Sequence, residues 1–179
     1  MQRRSVPPRW LGEPGPSDQE VENLLKIASR VPDHGKLVPW RFILIQGEGR
    51  RRLGDVLAAA FQADNPGADA EKVAIERERF MQAPLVIAVV SRVVPHVKIP
   101  DWEQVLSAGA ACMNLLTGAT ALGYGASWLT GWAAFDRRVL DALGLKPDER
   151  IAGFVHIGTA KEIPADRDRP HLADIVTRF

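Results

Sequence analysis

Cysteine is all but missing from this chain: Cys112 stands alone among 179 residues. A single thiol closes no intramolecular disulfide, which excludes a small secreted fold held by bridges. Charge of one sign is lacking too. The net charge is +1 with histidine neutral, so the broad electrostatic footprint of a nucleic-acid binder is absent. The run Arg50-Arg51-Arg52 reads instead as part of a solvated helix. The opening residues MQRRSVPPRW carry charge but no apolar core of the kind a secretory signal needs. One segment, 102–122, is long and apolar enough to raise a membrane span, but Glu103, Gln104 and Asn114 interrupt it. Standard chemical signatures are missing as well: no GxxxxGK[ST], HExxH, CxxC or GxSxG occurs. His34, His96, His156 and His171 are too scattered to suggest a metal site. The glycines of GYG at 123–125 lack a third at the dinucleotide-binding spacing, where Trp128 stands.

What is present is ordinary globular composition, 46% apolar and 25% charged. The length suits one domain, 1–179, with a core of its own. These features together lead to the expectation of a cytoplasmic protein without membrane, nucleic-acid or metal partners.

Periodicity divides the chain into alternating elements. Residues 6–16 hold four prolines and read as an ordered loop or arm. Ser17 with Glu20 forms a capping-box pattern, and Val21, Leu24, Leu25 and Ala28 follow at helical spacing, predicting a helix over 18–30 that Pro32 ends. A strand is predicted at 40–45, helices at 50–63 and 69–82, and a strand at 85–90 that is apolar on both faces and therefore central. The helix 102–122 is rich in small residues, which suits a core helix and also a subunit contact. Strands at 125–130 and 151–158 flank a short helix at 136–143. The tail alternates enough at Leu172 and Ile175 to pair as an edge strand, in this subunit or another. The mixture of helices and strands gives α/β or α+β around one sheet.

Three clusters carry chemistry. Arg3, Arg4 and Ser5 combine two planar guanidinium forks with a hydroxyl, a set suited to a terminal phosphate; a solvated basic terminus uses the same residues. Arg167 and Arg169 form a second donor set, or surface ion pairs with the acids around them. The loop from Arg30 to Trp40 gathers a cation, a carboxylate, an imidazole and a second cation in a segment that proline fixes at both ends. That is a functional loop, or a helix C-terminus decorated with base. The third cluster, 122–131, joins a helix end to a strand through glycines that let a flat ligand approach the backbone; a plain helix cap looks the same.

Together these clusters resemble the nitroreductase family of FMN-dependent NAD(P)H oxidoreductases. The resemblance rests on RRS at 3–5, PDHGKLVPWRF at 32–42, PDWEQVLSAGAACMNLL at 100–116, ALGYGASWLTG at 121–131 and GFVHIGT at 153–159, five pieces in family order across nearly the whole chain. It implies an α+β fold with a central mixed sheet flanked by helices. It also implies a homodimer holding FMN at the interface, with the C-terminal extension lying on the partner. Arg3, Arg4, Ser5 and Arg169 then match the residues at the FMN phosphate and ribityl chain. Arg30 and His34 match a loop near the flavin, with His34 reaching the cofactor of the other subunit. Trp128, Leu129, Thr130 and Gly131 match the backbone along the flavin ring, where an amide near Thr130 or Gly131 would face N5. Lys36 is a candidate cation for the pyrimidine end. The resemblance implies transfer of reducing equivalents from NAD(P)H to nitroaromatic, quinone or related small-molecule acceptors, with no catalytic side chain, because the flavin carries the chemistry. A non-catalytic flavin-binding dimer, or a flavin enzyme with another acceptor, would use the same residues. One departure stands out: Lys36 and Val38 occupy places where many family members carry Asn and Gln.

Overall fold

A computed structural model describes residues 3–179. The sheet is organised by the long strand β5 (Arg150–Ala160). One of its edges pairs with β3 (Leu85–Ser91), which pairs in turn with β2 (Trp40–Gln46). The other edge pairs with β4 (Gly125–Leu129) and, further along, with the two-residue β1 (Leu11–Gly12). These pairings are all antiparallel, and the mixed character comes from one parallel bridge between Ser5 and Ala126.

β3 is buried along its whole length, as its unbroken apolar run predicts. Its side chains alternate between two cores. Leu85, Ile87 and Val89 join Leu24, Ala111 and Leu115 on one face. Val86, Ala88 and Val90 join Leu57, Phe80 and Phe154 on the other. The first face is covered by α1 (Asp18–Ala28) and α4 (Asp101–Ala121). The second is covered by α2 (Glu48–Asp64) and α5 (Arg137–Ala142), with α3 (Ala70–Glu78) packed along α2. The architecture is α+β.

Local chemistry explains the element ends. Ser17 and Glu20 form the reciprocal capping box at the start of α1. That helix stops at Ala28, two residues earlier than its periodicity suggests; the Asn114 amide of α4 donates to the carbonyls of Ile27 and Arg30 at 3.0 Å each. β2 runs on to Gln46, so α2 begins at Glu48 behind Gly47, whose φ of 52° few other residues would adopt. The arginine run therefore sits inside the first turns of α2, and Arg50 donates to the carbonyl of Ala83 at 2.7 Å. The tail departs from the edge-strand expectation. Instead of pairing with the sheet it forms a single helical turn, α6 (Leu172–Ile175), and Leu172, Ile175, Val176 and Phe179 stay exposed. Its alternation is too short, and interrupted by too many charges, to bury a face within this chain.

Candidate functional site

The N-terminal arm runs parallel to β4, fixed where the amide of Val6 donates to the carbonyl of Ala126 at 3.0 Å. This lays the arm's arginines and the 128–131 stretch along one line. At its near end, Arg3 and Arg4 border a recess with Thr120, Gly123, Tyr124, Gly125 and Ile163. The Nη1 of Arg3 is sealed from solvent without a hydrogen-bond acceptor among the described residues. An orphaned guanidinium nitrogen of this kind is costly unless an anion completes it. The guanidinium of Arg4 donates to the backbone carbonyl of Ala165, which brings the start of the tail to the same place. Arg169 lies farther along that tail, exposed, donating to Asp166 at 3.2 Å and to the carbonyl of Arg167 at 3.0 Å.

At the far end of β4 a cavity of about 470 Å³ is lined by Trp128, Leu129, Thr130 and Gly131. Gly131 has a φ of 67° and open space where a Cβ would stand, so its backbone is approachable. The indole of Trp128 fills the space over Gly153, where any Cβ would collide with it, and donates to the carbonyl of Ala152 at 3.1 Å. Three polar residues of this cavity carried no sequence signal for a site: Arg79, Gln82 and His156. Arg79 follows α3 directly and is held by Glu76, its Nε donating to a carboxylate oxygen at 2.8 Å. Trp132 donates to the same carboxylate at 3.0 Å. Burial raises the pKa of Glu76, but these two donors outweigh it and keep the group ionised. The cation beside the 128–131 stretch within one chain is thus Arg79, from a helix that periodicity marks only as polar. His156 stood out in the sequence only by its place in an otherwise apolar strand.

Arg30 and His34 stand apart from this line. Their loop is mounted on α4: the Ser107 hydroxyl donates to the carbonyl of Pro32 at 2.6 Å, and the Trp40 indole donates to that hydroxyl at 3.1 Å. The cation, carboxylate and imidazole do not converge. Asp33 accepts the amide of Val38 at 3.1 and 3.2 Å, while His34 Nδ1 lies 2.7 Å from Glu103. Arg30 and Lys36 are exposed. Lys36 and Val38 adopt φ of 55° and 49°, a conformation a β-branched residue holds only when its surroundings impose it. Arg92 completes the clamp, donating to the carbonyl of Val38 at 2.9 Å.

The sequence profile described as the Nitroreductase family matches residues 1–159. The chain belongs to the nitroreductase family. Its members are oxidoreductases, and this chain is one. The Escherichia coli (strain K12) protein named "Putative NAD(P)H nitroreductase YdjA" is 37% identical over 149 residues, 83% of this chain and 80% of that protein. Among solved structures, a nitroreductase-like family protein from Bacillus cereus superposes with a TM-score of 0.87 at 26% identity, covering 99% of this chain and 92% of the other. A Desulfovibrio desulfuricans protein described as "a putative nitroreductase in complex with fmn" superposes with a TM-score of 0.71 at 26% identity over 99% and 92% of the two chains.

Proposed function

We propose that this nitroreductase-family chain is an FMN-dependent NAD(P)H oxidoreductase that reduces small, flat acceptors of the nitroaromatic or quinone type. The observation that carries the reading is the line of donors and approachable backbone from Arg3 to Gly131. A sealed, acceptor-less guanidinium nitrogen marks one end, and a glycine-edged cavity with a cation marks the other. The residues fit FMN. Arg3 and Arg4, with the Ser5 hydroxyl, suit a phosphate dianion. The backbone of residues 128–131 suits one face of a flat ring, and Arg79 suits negative charge developing on it. When bound, FMN supplies the hydride and single-electron chemistry between NAD(P)H and acceptor. The protein's part is to bind, orient and supply positive charge, which agrees with the absence of standard nucleophile and metal-hydrolase motifs from the sequence.

The reading includes a homodimer. α4 presents Trp102, Val105, Leu106 and Met113 on one outward stripe, and Trp102 is 69% exposed. An unbroken apolar stripe of this kind suits a helix-to-helix contact between copies. Dimerisation would let Arg30 and His34, remote from their own chain's line, serve the partner's ring. The exposed apolar tail would then find its cover on the partner. Cytoplasmic residence belongs to the same reading; among the described residues no helix is long and apolar enough to cross a membrane.

The test of the phosphate end is FMN titration of the apoprotein followed by flavin fluorescence. Arg3→Ala combined with Ser5→Ala is expected to weaken binding at least tenfold, the loss of a charge-assisted contact. Unchanged affinity would remove these residues from the site.

A further inference from the structure

His156 sits at mid-strand in β5, opposite Val86 of β3 and Ser127 of β4. Strand alternation puts it on the same face as Phe154, in a core otherwise built of aliphatic side chains and Phe80. A leucine or phenylalanine would complete that core. The imidazole there is only 3% exposed, and its Nδ1 has no hydrogen-bond partner among the described residues. Its ring stacks on Phe80, with centroids 5.7 Å apart and planes inclined by 26°, which sets its orientation. The same side chain lines the 470 Å³ cavity with Thr130, Gly131 and Arg79. A buried polar group left unpaired by the protein, on a residue beside a cavity, calls for a partner that the protein does not supply, an ordered water or a ligand.

We propose that His156 is a flavin-contacting residue, whose imidazole makes with the bound ring the hydrogen bond that the protein leaves open. The inference rests on reading the cavity as the seat of the FMN ring. Burial, reinforced by the neighbouring Arg79 charge, lowers the His156 pKa to about 4 and keeps the imidazole neutral. A neutral imidazole carries one donor and one acceptor nitrogen, and a flavin edge alternates carbonyl oxygens with ring nitrogens, so either polarity can be met. An imidazole retained for a ligand weakens the empty protein, whereas an imidazole retained for the core does not.

That contrast supplies the test. Apoprotein thermal stability and FMN affinity are measured for the wild type, His156→Phe, His156→Leu and His156→Gln. The apolar variants are expected to raise the apoprotein Tm by about 3 °C, because they remove an unpaired buried polar group. They are also expected to lower FMN affinity about tenfold. His156→Gln, which keeps a donor and an acceptor, is expected to stay within about threefold of wild-type affinity. Apolar variants that bind FMN as tightly as the wild type overturn the inference while leaving the FMN reading intact. A loss of Tm without loss of affinity does the same, by showing a purely structural histidine. If His156→Phe does not fold, the glutamine and leucine variants decide on affinity alone. A wild-type apoprotein that takes up no FMN overturns the functional reading itself, and this inference with it.

Discussion

Two buried titratable residues, His156 and Glu149, tie the stability of this chain to pH in separate windows. The Glu149 carboxylate is 5% exposed and accepts both Nε and an Nη of Arg41, at 2.8 and 2.7 Å. The Arg41 hydrogen bonds outweigh the cost of burial and hold its pKa down to about 2. A carboxylate depressed in this way contributes stability above its unfolded value near 4.5, and that contribution fades as pH falls toward 2. His156 is depressed for the opposite reason, the cost of charging a buried imidazole beside Arg79. Its unfolded form takes up a proton near pH 6.5 and its folded form only near 4, so folding loses roughly 3 kcal/mol across that interval. Chemical denaturation of apoprotein at a series of pH values checks both. His156→Phe is expected to flatten the decline between 6.5 and 4, and Glu149→Gln the decline below 4.5. A wild-type curve that is level between 6.5 and 4 contradicts the first assignment. Neither partner was legible in the sequence, because Arg41 and Glu149 are far apart in the chain and meet only once β2 is placed in the sheet. Cys112 is fully buried, and burial pushes its thiol up to about 12, which keeps it protonated at neutral pH.

Among the elements, the contact of α2 with α3 depends on Gly54. A Cβ there would overlap the carbonyl oxygen of Arg77, a backbone atom that cannot swing aside. Gly54→Ala is expected to cost about 2 kcal/mol in denaturant unfolding, although alanine is the better helix former in isolation. A neutral or stabilising result would show that α3 is free to shift. Because α3 delivers Arg79 to the cavity, the same variant is expected to loosen that corner of the site. The elements themselves were largely readable, since capping box, glycine caps and apolar period each act over a few residues. What was not readable was how elements meet. Periodicity marks α3 only as polar, so nothing in it announced that its end faces residues 128–131. The strained φ of Val38 was equally hidden: the residue was visible in the sequence, but the clamp joins Asp33 from the start of the loop with Arg92, just past β3.

For the whole molecule, the unit of function in this account is two chains. The proposed homodimer would account together for the outward stripe of α4, the uncovered tail and the separation of His34 from the Arg3–Gly131 line. Leu106→Glu places a charge in the middle of the stripe and is expected to shift the protein from dimer to monomer in sedimentation analysis, with FMN retention falling in parallel. A wild-type protein that sediments as a monomer yet binds FMN fully would show that the site is complete in one chain. The central claim, that the chain holds FMN and passes reducing equivalents from a nicotinamide nucleotide through it, is tested most directly by anaerobic spectroscopy of the FMN-loaded protein. The expected result is a yellow protein whose flavin absorbance bleaches on addition of NADH or NADPH and returns when a quinone or nitroaromatic acceptor is added. A protein that remains colourless with excess FMN, or whose bound flavin is bleached by neither nucleotide, contradicts it.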